Sequence, residues 1–213
     1  MANIFISGIG TDVGKSWATA WLATYLAQKG QRVITQKFIQ TGNTGLSEDI
    51  MLHRRLTGMP LTQFDHDRVT CPVIFTYPAS PHLAAEIDRR EIDLQVIDDA
   101  TATLSDHFDT VLIEGAGGLM VPVTRDFLTI DYIASRRLPL AFVTHGGLGS
   151  ISDTLLAFNA IRDYGIELKY VVYNPHFDSD RIIADDAREY MRAQTARLFP
   201  DAEFLVMPDD FAK

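Results

Sequence analysis

Short apolar stretches rich in β-branched residues alternate along this chain with longer segments whose apolar positions lie three and four apart. Residues 3–7 (NIFIS) predict a buried strand that runs straight into a glycine-rich turn. Residues 15–29 carry Ala, Leu and Trp at helical spacing and stop at Gly30, a residue suited to a helix C-terminus. Further strands are expected at 31–37, 110–113 (ending at Glu114), 138–144, 168–173 and 203–206. Further helices are expected at 47–56, with Ser47 as N-cap, and at 94–107, 152–164 and 180–198. Apolar strands alternating with helices predict an α/β fold, a mostly parallel central sheet with helices on both faces. Residues 59–90 hold Pro60, Pro72, Pro78 and Pro81 and read as extended structure and loops. No repeat, low-complexity tract or linker interrupts the pattern, so 1–213 is expected to be a single domain.

Composition narrows the function classes. The net charge of −9 argues against a nucleic-acid surface, which needs clustered Lys and Arg, but leaves room for a local phosphate pocket. Cys71 is the sole cysteine, so no internal disulfide and no cysteine-based metal site is possible. The start, MANIFISGIG, lacks a basic leader, and no apolar run approaches the ~20 residues that span a membrane. The expectation is a cytoplasmic protein with no membrane partner.

The chemistry concentrates in GIGTDVGKSW, residues 8–17. A phosphate-binding loop of the form G-x-x-x-x-G-K-[ST] would place glycine at position 9, where this chain has Ile9 between Gly8 and Gly10. The context is nevertheless that of a P-loop, a strand before the turn and a helix after it. Backbone N–H groups at a helix start point outward and favour anions. Lys15 can reach terminal phosphates, and the Ser16 hydroxyl can ligate Mg2+. The competing reading is a tight turn whose Lys15 and Ser16 face solvent. An acidic metal partner is expected at the end of another strand, and Glu114, followed by Gly115-Ala116-Gly117-Gly118, fits. Lys37, in QKFIQTG, should emerge at the same carboxyl edge, where open α/β sheets bind ligands; taken alone, a lysine snorkelling from a strand end is the favoured reading. Asp49 is either a second Mg2+ ligand or a negative charge in a helix's first turn.

Taken in order, GIGTDVGKS, Lys37 with Thr41-Gly42, Asp49, PASPH (78–82) and EGAGG (114–118) resemble the dethiobiotin synthetase family, with a P-loop NTPase fold. The resemblance runs to about Asn174. The family's loop typically reads G-T-D-T-[ED]-V-G-K-T, so Gly8 matches its first glycine and the extra residue is a family feature. The resemblance implies an ATP- and Mg2+-dependent cyclo-ligase acting on 7,8-diaminononanoate and CO2. It implies ATP contacts from Asp12, Val13, Gly14, Lys15, Ser16 and Trp17, from Asp49, and from Glu114, Gly115, Ala116 and Gly117. Asn174 and Pro175 would lie on the adenine side, with a later loop near Pro208. Lys37 and Lys15 would be catalytic, and Ser16, Asp49 and Glu114 would hold the metal. Thr11, Thr41, Ser80 and Gly118 would meet the substrate, as would Gly149 and Ser152 from a partner subunit of a homodimer.

Two departures stand out. The family's L-G-x-I-N-H is here Leu148 to Asp153, LGSISD, with Ser152 able to cap the helix and Asp153 adding a negative charge near an anionic substrate group. The segment after MPDDF is short, ending at Lys213, which implies a looser choice of nucleotide. The six histidines show no metal-ligand spacing; His82 and His145 read as site or structural residues. Cys71 reads as a packing residue, and Trp17 and Trp21 are expected to pack on the sheet. The alternative function is a nucleotide-switch ATPase of the partition or division-site type, but the early lysine of such loops is missing at Ser7 to Gly10. A cobyrinic-acid-type amide synthetase is a third reading, without a recognisable glutaminase segment.

Overall fold

The computed structural model describes residues 2–211; Met1, Ala212 and Lys213, and with them the end of the adenine-side segment, lie outside the described residues. The chain runs β1 (Ala2–Gly8), α1 (Lys15–Gln28), β2 (Val33–Lys37), α2 (Glu48–Thr57), α3 (Gln63–His66), α4 (Pro81–Asp88) and α5 (Leu94–Ser105). It continues with β3 (Thr110–Glu114), β4 (Pro122–Thr124), β5 (Phe127–Leu128), α6 (Thr129–Ser135), β6 (Leu140–His145) and α7 (Ser150–Asp163). β7 (Leu168–Asn174), a 3-10 turn at Pro175–Phe177, α8 (Arg181–Leu198) and β8 (Glu203–Val206) complete it.

Six strands form one sheet in the order β2-β3-β1-β6-β7-β8, and every pairing in it is parallel. β4 and β5 make a separate antiparallel pair. Side chains alternate across the sheet, so each strand feeds two cores. Phe5, Ile34, Val111, Ile113 and Phe142 pack on one face with Ile97 of α5, Ile133 of α6 and Phe158 of α7. Ile4, Ile6, Leu112, Val143 and Val172 pack on the other with Leu22 and Leu26 of α1. Burial on both faces explains why these strands read as continuous apolar runs. Strand ends therefore gather at one edge. Gly8, Lys37, Glu114, His145 and Asn174 are the last residues of β1, β2, β3, β6 and β7. Because β1 has β3 on one side and β6 on the other, the chain leaving Gly8 enters the topological switch point of the sheet.

The expected elements are present with shifted ends, and two differences in the helices have local causes. Ser47 caps α2 as expected, accepting from the Ile50 amide. In the proline-rich segment, α4 replaces the expected loop because Pro81 occupies the first helical turn, where its missing N–H costs nothing. α7 begins at Ser150, not at Ser152, because Gly149 takes a left-handed φ of 93° and serves as N-cap. Ser152 is thus an exposed residue inside the first turn, not a cap. Trp21 stacks on Tyr25, but Trp17 is 39% exposed and lies off the sheet. Cys71 packs with Ile50 and Ile74, and burial pushes its thiol up to about 12. Among the described residues no helix is long and apolar enough to cross a membrane.

A buried ion pair fastens α2 to the irregular segment. Arg54 donates to both Asp65 oxygens at 3.0 and 2.8 Å and to Thr35 Oγ1 of β2 at 2.8 Å. Burial opposes the Asp65 charge, but Arg54 and the Thr62 and Thr70 donors outweigh it and hold the carboxyl below its ordinary value. Asp65→Asn leaves Arg54 buried without a counter-ion, and we expect a loss of about 3 kcal/mol at pH 7, measured by urea unfolding. A depressed folded pKa stabilises above the unfolded value of about 3.9 and is lost as pH falls below it, so the difference should narrow on acidification.

Candidate active site

The loop after β1 wraps back over the start of α1. Gly14 has φ 83°, a left-handed conformation that lets its amide face the cavity, and a Cβ there would collide with the Asn174 amide. A Cβ at Gly8 would lie 2.9 Å from the Val143 carbonyl, so the first turn of the loop also requires glycine. Asn174 Nδ2 donates to the Val13 carbonyl at 3.1 Å, and its Oδ1 accepts from the His176 amide at 3.1 Å. The end of β7 thereby pins the loop through an asparagine whose amide is largely committed to backbone.

A cavity of about 750 Å3 opens at the carboxyl edge of the sheet. It brings together Thr11, Asp12, Gly14, Lys15, Ser16 and Trp17 from the loop and α1. Lys37 and Thr41 reach it from the end of β2, Asp49 from α2, and Glu114, Ala116 and Gly117 from the end of β3. Asn174, Pro175 and Pro208 line the far side. Trp17 is exposed because it forms part of this rim. Other residues named from the sequence lie outside the wall. Val13 is buried behind the loop, Gly115 is buried and offers its carbonyl to Lys37, and Gly118 lies against the backbone of Gly8 and Gly10. Ser80 Oγ shares a 3.1 Å hydrogen bond with His82 Nδ1 away from the cavity, and Gly149 and Ser152 are exposed at the start of α7.

At the floor, four side chains meet. Lys37 Nζ lies 2.6 Å from Asp49 Oδ2 and 2.9 Å from Glu114 Oε1, and donates to the Gly115 carbonyl at 3.1 Å. Ser16 Oγ lies 2.9 Å from Glu114 Oε1 and 3.3 Å from Asp49 Oδ1. Burial would push the Glu114 carboxyl up, but the Lys37 ammonium and a hydrogen bond from His53 outweigh it, and Glu114 stays well below the usual carboxylate range. Burial would likewise discharge Lys37, yet Glu114 and Asp49 hold it above its ordinary value. Lys15 differs. Its ammonium donates to the Gly10 carbonyl, and burial draws it down to about 8 against the attraction of Glu114. Of the two readings of Asp49, the geometry contains both: it lies in the first turn of α2 and contacts Ser16 and Lys37.

Ser16, Asp49 and Glu114 offer only oxygen donors, and two carboxylates with one hydroxyl suit a small hard cation that keeps waters and takes phosphate oxygens. Sequence reasoning missed the apolar lining residues Phe177, Met207 and Phe211, as well as Ile39, Gln40 and Leu52. It also missed His53, fully buried behind Glu114. No motif marks these positions. His145 is not a wall residue; its ring lies 4.4 Å from that of Phe177 and its Nδ1 accepts from the Gly147 amide.

Comparison with known proteins adds independent findings. Residues 2–197 match a family model described as an AAA domain. The chain is 42% identical over 208 residues to the ATP-dependent dethiobiotin synthetase of Pasteurella multocida, covering 97% of this chain and 98% of that protein. It is 47% identical over 204 residues to the enzyme of the same name from Haemophilus ducreyi, covering 96% and 97%. The MinC:MinD cell division protein complex of Aquifex aeolicus is similar with a TM-score of 0.57 and 16% identity, over 99% of this chain and 82% of that one. That likeness concerns the fold alone.

The Lys15 ammonium makes anion binding depend on pH. Its charged form is populated below about 8 and lost above it, and phosphate attracts only the charged form. Affinity for a non-hydrolysable nucleoside triphosphate, measured by calorimetry, should weaken as pH rises through about 8. In Lys15→Arg that inflection should vanish, because guanidinium stays charged past pH ~12.

Proposed function

The chain belongs to the dethiobiotin synthetase family, and from that premise we propose that it is an ATP-dependent cyclo-ligase closing the ureido ring of dethiobiotin. One amine of 7,8-diaminononanoate takes up CO2 and loses a proton to give a carbamate. The carbamate oxygen attacks the γ-phosphorus of ATP, ADP departs, and a carbamic-phosphoric anhydride remains. The second amine attacks the carbamate carbon, loses a proton and expels phosphate, closing the ring. No enzyme nucleophile is needed.

The observation that carries this reading is the cluster of Lys37, Asp49, Glu114 and Ser16 beside the P-loop. Two lysines and two carboxylates sum to no net charge, so a triphosphate beside a carbamate needs further positive charge. Mg2+ held by Ser16, Asp49 and Glu114 would supply it, drawing charge from the phosphate oxygens. Lys37, kept charged by its two partners, stabilises negative charge as it moves between carbamate, γ-phosphoryl group and ADP. Lys15 turns from the Gly10 carbonyl to the incoming phosphates, and the loop amides around Gly14 cradle them. Phe177, Met207, Pro208 and Phe211 give the base an apolar seat, with Asn174 and Pro175 at its edge. Thr41 and Thr11 face the diamine. Gly149 and Ser152, which lie apart from the cavity, would act across the interface of a homodimer, while Ser80 and Gly118 would meet the substrate from within the same subunit. The place of such an enzyme is the cytoplasm.

The test is phosphate release from Mg-ATP and bicarbonate with and without 7,8-diaminononanoate. We expect release that requires the diamine and yields dethiobiotin. Lys37→Ala should lower kcat by roughly 10²–10³-fold, the usual loss when one preorganised electrostatic donor is removed. Turnover indifferent to the diamine would sink this proposal in favour of a nucleotide switch.

A further inference from the structure

His53 lies on α2, one helical turn after Asp49, so both side chains leave the same face of the helix toward the end of β3. It is fully buried, and its Nε2 lies 2.7 Å from Glu114 Oε2. The two Glu114 oxygens have separate partners. Ser16 and Lys37 converge on Oε1, while His53 holds Oε2. An ionised carboxylate only accepts, so the proton of this contact belongs to Nε2. The other ring nitrogen, Nδ1, is buried without a hydrogen-bond partner among the described residues. A polar atom left in that state is destabilising, a cost that an apolar side chain would avoid. The imidazole is thus tied to its surroundings at one polar point, Glu114, and carries a cost for being there.

We propose that His53 is a positioning residue that clamps Glu114 Oε2 from behind, so that Oε1 stays directed toward Ser16, Asp49 and the divalent cation they hold. The proposal rests on the metal reading of the site given above. Rotation about the terminal carboxyl bond is soft, and Lys37 stands close enough to claim a freely turning carboxylate for itself. With Oε2 engaged by His53, only Oε1 is shared between Lys37, Ser16 and the cation. A partner behind a ligating group commonly affects metal affinity about 10–100-fold.

The test compares the full-length protein with His53→Leu and with His53→Gln, whose side-chain amide can place a donor near the position of Nε2. Mn2+ binding in the presence of ADP is followed by the EPR signal of free Mn2+, and ADP binding without metal by calorimetry. His53→Leu should weaken Mn2+ about 10–100-fold, His53→Gln should recover most of that loss, and metal-free ADP affinity should be the same in all three. Unchanged Mn2+ affinity in His53→Leu, or an equal loss of metal-free ADP binding, would overturn the clamp and leave His53 a packing residue. Absence of Mn2+ binding by the wild-type protein with ADP would instead remove the metal reading, and the clamp with it. Should His53→Leu not fold, nitrogen-15 NMR of the wild-type imidazole decides. A proton on Nε2 supports the clamp; a bare Nε2 overturns it.

Discussion

The arrangement turns on one buried pair of charges, Lys37 and Glu114. The register of β2 and β3 makes them direct neighbours, and both are almost wholly enclosed, at 5% and 1% exposure. A buried ion pair adds little net stability, but either member left alone is costly by several kcal/mol. The pair therefore restricts its surroundings more than it strengthens them. A one-residue slip of β2 would turn Lys37 to the opposite face and strand Glu114. α2 must lie where Asp49 reaches the ammonium and His53 reaches the second carboxylate oxygen. The first turn of α1 must bring Ser16 to the same oxygen that Lys37 uses.

This geometry gives two lysines opposite electrostatic situations within one cavity. Lys37, between two carboxylates, is held in its charged form despite complete burial. Lys15 is nearly as enclosed, but its hydrogen bond goes to an uncharged carbonyl, and burial prevails. One cation is a permanent part of the floor; the other is available to an incoming anion. In a protein with a net charge of −9, the loop amides and the start of α1 then add positive potential to a floor whose two lysines and two carboxylates cancel.

Much of the fold was legible in the chain. Five of the six sheet strands end at residues that carry the site or its supports, because parallel strands deliver all their C-termini to one edge. The glycine spacing of the loop, Lys15-Ser16, Lys37, Asp49 and Glu114 could be singled out by residue type and by their place at element ends. Less legible were the ends of α7 and the helix at Pro81–Asp88, where Gly149 and Pro81 act through backbone geometry that periodicity does not report. Trp17 was misplaced because helical spacing with Trp21 says which residues share a side, not whether the sheet or a cavity lies beneath it.

By itself, then, the sequence determined the parallel α/β order, the phosphate loop and the identity of the charged residues at the strand ends. Those depend on local periodicity and on steric rules that act within a few residues. Only the tertiary structure decided the rest. It tied Asn174 to Val13 across the sheet, brought Phe177, Met207 and Phe211 to one cavity, and set His53 behind Glu114. His53 and Glu114 are 61 positions apart, and a hydrogen bond between them exists only once α2 has docked against the end of β3. No local pattern encodes such a contact, because its physical cause is the packing of two elements whose separation along the chain carries no periodic signal.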